Sequence, residues 1–186
     1  ALALIQAALE VTRAEVRPTE LALADIDVRE LLEQLVRENQ LPADRQSLRV
    51  ELEVPPQLPR LRSDSIKLTM ILRNLISNAL KFTEAGCVQI SVEQIDGSMR
   101  FVVADTGIGI GPDELPYLFE PFRQAHGSRS RRAGGSGLGL YIVNRLVDLL
   151  GGSISVDSKP GVGTSFCVAL PLEPPLSEAE GSISPP

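Results

Sequence analysis

Apolar positions follow two different spacings along the chain, and the two spacings predict helices and strands in a mixed order. Over residues 1–16 the apolar residues recur every three or four positions, which predicts an amphipathic helix that needs a partner surface. A second helix is predicted after an acidic cap at Asp25 or Asp27. Strict alternation from Leu48 to Val54 predicts a half-buried strand, which three prolines then end.

The middle of the chain predicts one long helix followed by a pair of strands. The helix begins after a cap at Ser63 or Asp64 and runs to about Phe82. Two alternating runs, Val88–Ile95 and Met99–Ala104, are separated by a short turn sequence containing Asp and Gly. That arrangement predicts a β-hairpin.

The C-terminal part repeats the same alternation of helix and hairpin. A short helix is predicted around Asp113–Leu118, and the polar, basic and glycine-rich residues 123–136 predict a mobile loop. A helix from near Gly137 to Leu150 precedes a hairpin that pairs Ser153–Ser158 with Thr164–Leu170. Hairpins with helices between them predict an α+β protein: a two-layer α/β sandwich whose mixed, mostly antiparallel sheet is covered by helices on one face.

The overall composition removes several function classes. A net charge of −6 argues against nucleic-acid binding, which needs a basic surface. Cys87 and Cys167 lie in apolar alternating runs, and we expect two buried thiols rather than a disulfide or a metal site. Charged residues interrupt the apolar N-terminus, which is therefore too short for the roughly 20 apolar residues of a membrane span.

A polar stripe on the long helix is the first candidate site. Asn74, Asn78 and Lys81 are spaced i, i+4 and i+7, so their side chains project from one face of an otherwise apolar helix. Side-chain amide oxygens suit a hard cation such as magnesium, and a lysine suits a phosphate oxygen. For any one of the asparagines, a solvated helix edge is the alternative interpretation.

A glycine-punctuated stretch after a strand is the second candidate. Asp105 follows four apolar residues and is itself followed by Gly107, Gly109 and Gly111. Glycines let a ligand approach the backbone closely, and an acid at a strand end can accept a hydrogen bond from it. The spacing is not that of a dinucleotide-binding fingerprint, and the chain contains no P-loop motif.

A second glycine-rich stretch, residues 134–140, runs directly into a predicted helix. Backbone amides at a helix N-terminus form a site for phosphate. Arg129, Arg131 and Arg132 lie just upstream, which makes this loop cationic in an acidic protein and suited to covering an anionic ligand. A merely solvated loop remains the alternative.

Four motifs follow one another in the order Asn74-Leu-Ile-Ser-Asn78-Ala-Leu-Lys81-Phe-Thr, Asp105-Thr-Gly-Ile-Gly, Phe119-Glu-Pro-Phe122 and Gly135-Ser-Gly-Leu-Gly139-Leu. In these four ordered motifs the chain resembles the catalytic ATP-binding domain of sensor histidine kinases. The resemblance implies a Bergerat-type ATP-binding fold, shared with gyrase, Hsp90 and MutL. It also implies the end of a dimerisation helix at residues 1–17, a catalytic domain at 18–172 and a linker or disordered tail at 173–186.

The resemblance also implies a role for each motif residue, with ATP and magnesium as cofactors. Asn78, with Asn74 beside it, would hold the magnesium ion that bridges the phosphates, and Lys81 would neutralise phosphate charge. Phe82 would flank the adenine, and Asp105 would accept its amino proton. The remaining residues would make room for the nucleotide or close over it: Gly107, Gly109, Phe119, Phe122, Arg129, Arg131, Arg132, Gly135, Ser136, Gly137, Leu138 and Gly139.

The function implied by the resemblance is that of a protein histidine kinase in a two-component phosphorelay. It would transfer the terminal phosphate of Mg-ATP to a histidine on the dimerisation helices of a homodimer, with a response-regulator receiver domain as the next partner. We expect a cytoplasmic domain without membrane contact, although the full-length protein could be anchored in a bacterial inner membrane.

The acceptor histidine of that reaction is expected to lie outside this fragment. The resemblance implies that the helix carrying it precedes residue 1, and His126 is interpreted as a solvated loop residue rather than the acceptor. A nucleotide-binding pseudokinase or interaction domain of the same fold stays open as an alternative, as does a serine kinase or ATPase of that fold.

Overall fold

The computed structural model describes residues 21–39, 47–122 and 137–173. The N-terminal helix, the loop at 123–136 and all but the first residue of the tail that the sequence predicts fall outside these residues. The boundary proposed after residue 17 falls outside them as well, and the one proposed after residue 172 stays a prediction. Among the described helices, none combines the length and the apolar character that a bilayer crossing requires.

The described residues form three α-helices, each with an apolar stripe, and the first two also have a side-chain cap. The Asp27 carboxylate accepts a hydrogen bond from the Glu30 amide at 3.1 Å and begins the first helix, whereas Asp25 lies in a strand. Asp64 begins the second helix in the same way, accepting from the backbone amides of Ile66 and Lys67. The helices are α1 (Val28–Glu38), α2 (Ser65–Phe82) and α3 (Gly139–Leu149).

In the described part of the chain, seven strands form two sheets. The strands are β1 (Leu23–Ile26), β2 (Leu48–Glu53), β3 (Leu61–Asp64), β4 (Gly86–Ile95), β5 (Ser98–Asp105), β6 (Ser153–Lys159) and β7 (Gly163–Pro171). The smaller sheet pairs β1 with β3 in antiparallel register. The larger one has the order β2-β4-β5-β7-β6, in which β2 and β4 are parallel and all other neighbours are antiparallel.

The turn between β4 and β5 shows why the hairpin could be predicted. Ile95 pairs with Ser98, so only Asp96 and Gly97 remain in the turn. Both have positive φ angles, 48° and 74°, as a two-residue turn that matches the twist of the strands requires. Asp and Gly tolerate that conformation better than most residues.

The core lies between the larger sheet and the helices. Along β5 and β7, residues such as Phe101 and Val168 alternate as buried positions on the face that α2 and α3 cover. Burying a large aliphatic or aromatic side chain contributes roughly 1.5–3 kcal/mol, so these contacts fix the helices on that face. The α+β sandwich expected from the sequence is confirmed. The buried side chains of α2 are Leu68, Ile71, Leu72, Leu75, Ile76, Ala79 and Leu80.

One local expectation is confirmed in a shorter form, and another is wrong in part. The short helix expected around Asp113–Leu118 is a single 3-10 turn, Leu115–Tyr117, with Pro116 in its first turn, where no amide hydrogen is needed. Cys87 and Cys167 are both free, as expected, but they are partly exposed rather than buried. Their alternation places them on the sheet face opposite the buried residues.

Candidate functional site

The polar stripe of α2 is held at a half-buried edge of the helix. Asn74 and Asn78 are both half-buried, and their side chains face each other one turn apart. The Asn78 Nδ2 atom lies 3.4 Å from the Asn74 Oδ1 atom, which makes a long and weak hydrogen bond. The two amides can therefore separate at small cost and turn their oxygens toward a ligand.

The start of α3 packs directly against this stripe. A β-carbon built on Gly139 would lie 2.5 Å from Asn74 Oδ1, which is closer than real contacts allow. A larger residue at position 139 would have to displace the Asn74 side chain, so glycine here leaves that side chain in place. Beside this contact a groove of about 260 Å³ opens, lined by Met70, Arg73, Asn74, Ser77 and Ile142.

Lys81 stands one turn further along α2 and is also half-buried. Its Nζ atom lies 5.0 Å from the centre of the Phe82 ring, within the range of a cation–π contact. Burial lowers the pKa of the Lys81 ammonium group. A bound anion would offset that loss of hydration, so the position suits a phosphate oxygen.

Asp105, at the end of β5, forms a second polar position near the C-terminal end of α2. Its Oδ1 atom accepts a hydrogen bond from the Gly107 amide at 2.8 Å. Burial raises the pKa of the Asp105 carboxyl, and hydrogen bonds from the Gly107 and Thr164 amides, together with the nearby Thr83 hydroxyl, act against that rise. An ionised carboxylate has about four acceptor positions, so this half-buried group can still accept a hydrogen bond from a ligand.

The loop after Asp105 joins this carboxyl to α2. The Ile108 amide donates to the Phe82 carbonyl at 3.3 Å. A β-carbon on Gly107 would overlap that same carbonyl, so this position also needs glycine. The Phe82 backbone thus connects the helix that carries Asn74 and Asn78 to the loop that follows Asp105.

The far side of the same loop rests on the β6–β7 hairpin. Gly109 has a positive φ of 67°, and a β-carbon there would overlap the Lys159 carbonyl. The Ser158 hydroxyl accepts from the Ile110 amide at 2.8 Å, and the Gly161 amide donates to the Ile108 carbonyl at 2.8 Å. The loop is therefore fixed on two sides before any ligand binds.

The phenylalanines of the third motif occupy different environments. Phe119 is half-buried and packs against the core. Phe122 is 68% exposed, and its φ of 62° is unusual for a residue with a bulky side chain. Of these two phenylalanines, Phe119 is thus the one that packing against the core holds in place.

The last motif is described only at its C-terminal end. Gly137 and Gly139 lie in the turn into α3 and at its first residue. The Leu138 side chain is 2% exposed and belongs to the core, so only its backbone is available to a ligand. The other predicted residues of this region lie outside the described residues: His126, Arg129, Arg131, Arg132, Gly135 and Ser136.

Three hydroxyl residues belong to this site although sequence reasoning gave them no role. Thr83 follows α2, and Ser158 and Thr164 come from β6 and β7. The Ser158 and Thr164 hydroxyls lie 2.9 Å apart. Thr83 falls within the first motif, which was the only available signal; the other two became visible when the hairpin was placed beside the loop.

Comparison with known proteins agrees with this geometry. The sequence model of a family described as histidine kinase-, DNA gyrase B-, and HSP90-like ATPase matches residues 63–174. The autoinducer 2 sensor kinase/phosphatase LuxQ of Vibrio cholerae is 45% identical over 117 residues, which is 61% of this chain and 14% of that protein. The histidine protein kinase DivJ of Caulobacter vibrioides is 37% identical over 172 residues, 92% of this chain and 29% of that protein.

Solved structures give the same result. The crystal structure of full-length ShkA in complex with AMPPNP superposes with a TM-score of 0.82 at 36% identity, covering 95% of this chain and 36% of that one. The nucleotide-free catalytic domain of the histidine kinase ThkA has a TM-score of 0.70 at 23% identity and supports the fold alone. This chain spans less than a third of the length of LuxQ and of DivJ.

Proposed function

Because the chain belongs to the family of histidine kinase-, DNA gyrase B- and HSP90-like ATPases, as the resemblance in its sequence implied, we propose that it binds Mg-ATP and provides the catalytic half of a sensor histidine kinase. The phosphoryl group would pass to a histidine on the dimerisation helices of the same protein and then to a receiver domain. One observation carries the proposal. The asparagine stripe of α2 and the loop after Asp105 are joined through the Phe82 carbonyl, which supports the proposal that they form the phosphate end and the base end of one nucleotide site.

The phosphate end of the site fits a magnesium ion held by amide oxygens. Among the described residues, no group of three His, Cys, Asp or Glu side chains could ligate a metal. Magnesium commonly takes only one or two protein ligands and completes its shell with water and phosphate oxygens. Asn78 and Asn74 would supply the protein ligands, and Lys81 would neutralise phosphate charge. The ion would supply charge neutralisation at the phosphates.

The base end fits adenine rather than guanine. The Asp105 carboxylate is an acceptor, so it would pair with the exocyclic amino group of adenine and meet the carbonyl oxygen of guanine unfavourably. Phe82 lies at the end of α2 beside this position, where its ring would flank the base. AMPPNP in the ShkA complex is an adenine nucleotide analogue, which supports this assignment.

The residues that line the groove beside Asn74 favour phosphoryl transfer to a protein side chain over hydrolysis of ATP. Its five lining residues include no carboxylate that could act as a base on water. Arg73 is the charged residue among these five, and its guanidinium pairs with Glu38 of α1 at 2.7 Å. We therefore propose that the nucleophile comes from another part of the protein and that this domain positions ATP and offsets charge.

The test of this function begins with nucleotide binding. Isothermal titration should show that ATP binds the wild-type chain more tightly with magnesium than with a chelator. Asn78→Ala should remove most of that magnesium-dependent gain, on the order of tenfold in affinity. Asn144→Ala is the matched control, because Asn144 is also a half-buried asparagine in a helix but lies outside the four motifs. Equal affinities for wild type and Asn78→Ala would contradict the metal assignment.

Phosphoryl transfer needs a second measurement. The chain is incubated with labelled ATP and a separate dimerisation domain that carries an acceptor histidine. Acid-labile label on the helical domain, reduced with Asn78→Ala and kept with Asn144→Ala, is the expected result. Release of inorganic phosphate without labelling of the helical domain would indicate an ATPase instead.

A further inference from the structure

A buried hydroxyl at the end of α2 lacks the hydrogen bond that such a group normally makes. Thr83 follows the last residue of α2 and is 0% exposed. Within the described residues, its Oγ1 atom has no hydrogen-bond partner of acceptable geometry. An unsatisfied buried hydroxyl costs about 1–3 kcal/mol, and a valine of the same shape would avoid that cost. Such groups in native structures require an explanation, and one explanation is a role in function.

The position of Thr83 indicates that its hydroxyl acts on Asp105. The preceding carbonyl, that of Phe82, accepts from the Ile108 amide and touches Gly107, so Thr83 is placed beside the start of the Asp105 loop. Its hydroxyl is close enough to the Asp105 carboxyl to lower the pKa of that group against the effect of burial. The contact therefore exists, but in this structure it is not aligned as a full hydrogen bond.

The Asp105 carboxylate has room for this donor and for a ligand as well. An ionised carboxylate has about four acceptor positions. The Gly107 amide occupies one on Oδ1, and the Thr164 amide from β7 also donates to the carboxyl. A hydroxyl donor from Thr83 would leave one acceptor position of the carboxylate for the ligand, and it would fix the direction in which that position points.

We propose that Thr83 is a positioning residue for Asp105: its hydroxyl donates to the carboxylate and orients the remaining acceptor position toward the amino group of the adenine. The inference rests on the proposed function, since it assumes an adenine nucleotide at Asp105. It adds a residue that acts on the base only through Asp105. The hydroxyl would align fully when the base binds, and its unsatisfied state in this structure corresponds to a site prepared for ligand.

The test compares two nucleotides on three proteins: wild type, Thr83→Val and Thr83→Ser. The nucleotides are ATP and purine riboside triphosphate, which lacks the amino group of adenine. Thr83→Val should weaken ATP binding by roughly tenfold, the loss expected for one hydrogen bond to a charged group. The same variant should weaken the analogue by less than about threefold, and Thr83→Ser should retain both affinities. The melting temperature of Thr83→Val should stay unchanged or rise, because an unsatisfied hydroxyl is removed.

Two results would overturn the inference. One is that Thr83→Val binds ATP as tightly as wild type, and the other is that Thr83→Val loses equal affinity for ATP and for the analogue. A chain that binds no ATP even as wild type would refute the proposed function instead, so the two failures are distinguishable. If Thr83→Val proves too unstable to purify, Thr83→Ala is made with and without Asp105→Asn. A role through Asp105 predicts that Thr83→Ala has little further effect in the Asp105→Asn background, whereas additive losses would refute it.

Discussion

Replacing Asp64 by alanine should destabilise the fold far more than removing an ordinary helix cap. The Asp64 side chain is 2% exposed and has contacts on both carboxylate oxygens. Its Oδ1 atom accepts from the Ile66 and Lys67 amides, each at 3.1 Å, and caps α2. Its Oδ2 atom pairs with Lys67 Nζ at 2.5 Å and accepts from the Ala22 amide at 3.2 Å.

The magnitude follows from these contacts. Loss of an N-cap costs about 1 kcal/mol, and breaking a buried ion pair costs about 3–5 kcal/mol when the remaining charge stays buried. The Lys67 side chain is 15% exposed, so its ammonium group can reach water and part of that second cost is avoided. We therefore expect Asp64→Ala to lower the free energy of unfolding by about 3 kcal/mol. Asp64→Asn should cost about half as much, because asparagine caps as well as aspartate but forms no ion pair.

Urea denaturation at neutral pH measures both values, with Asp27→Ala as the control. Asp27 caps α1 from an exposed position and has one cap hydrogen bond, so its loss should cost about 1 kcal/mol. The reasoning about Asp64 is refuted if Asp64→Ala costs no more than Asp27→Ala. An unchanged dependence of stability on urea concentration is needed for the comparison, because a changed slope would mean a changed unfolded state.

The same pair predicts a pH dependence. Burial by itself would raise the pKa of Asp64, but hydrogen bonds from the side chain and backbone of Lys67 and from the Ala22 amide outweigh it, and the pKa is lowered. A lowered pKa means that the contribution to stability is present above the unfolded value of about 3.9 and is lost as the pH falls through the folded value. The difference between wild type and Asp64→Asn should therefore shrink when denaturation is repeated near pH 3.

Two further predictions concern the nucleotide site and the core. Gly139→Ala should reduce ATP affinity by roughly tenfold because the new methyl group displaces Asn74, while its melting temperature should equal or exceed that of wild type because alanine favours a helix. Gly111→Ala, where the added methyl group meets open space, should bind ATP normally. Equal titration curves for the two variants would count against the close contact between Gly139 and Asn74. Leu72→Ala, at a fully buried position of α2, should lower the free energy of unfolding measured in urea by about 2–5 kcal/mol. Ile66→Ala, at a position 72% exposed on the same helix, should change it by no more than about 0.5 kcal/mol. Similar losses for the two variants would show that α2 does not pack as described.

Local patterns in the sequence were sufficient for the main helices and hairpins. The caps at Asp27 and Asp64 lie next to the stripes that they begin, and the Asp96-Gly97 turn needs only two residues. Helix and hairpin signals of this kind act over a few neighbouring positions, so periodicity and turn chemistry reveal them. The candidate residues Asn74 and Asn78 were found for the same reason, since i, i+4 spacing fixes their common face.

Strands β1 and β3 could not be predicted in this way. Each has four residues, too few for a clear alternation, and each is a strand only because the other pairs with it. Pairing such as that of Leu23 with Asp64 joins positions far apart in the chain, and no local pattern records it. The same limit applies to Cys87: alternation shows which residues share a face, but only packing decides which face the helices cover.

The sequence by itself determined the fold class, the family and the order of the motifs, because each depends on residue types at short fixed spacings. The tertiary structure alone decided which of these residues have room for a ligand. It buried the Leu138 side chain, placed Gly139 against Asn74 and enclosed the Thr83 hydroxyl beside Asp105. Burial and close approach depend on elements that come together from distant parts of the chain. The sequence therefore does not show whether a threonine hydroxyl lies in water or beside a buried carboxylate, although that surrounding decides whether the hydroxyl needs a protein partner.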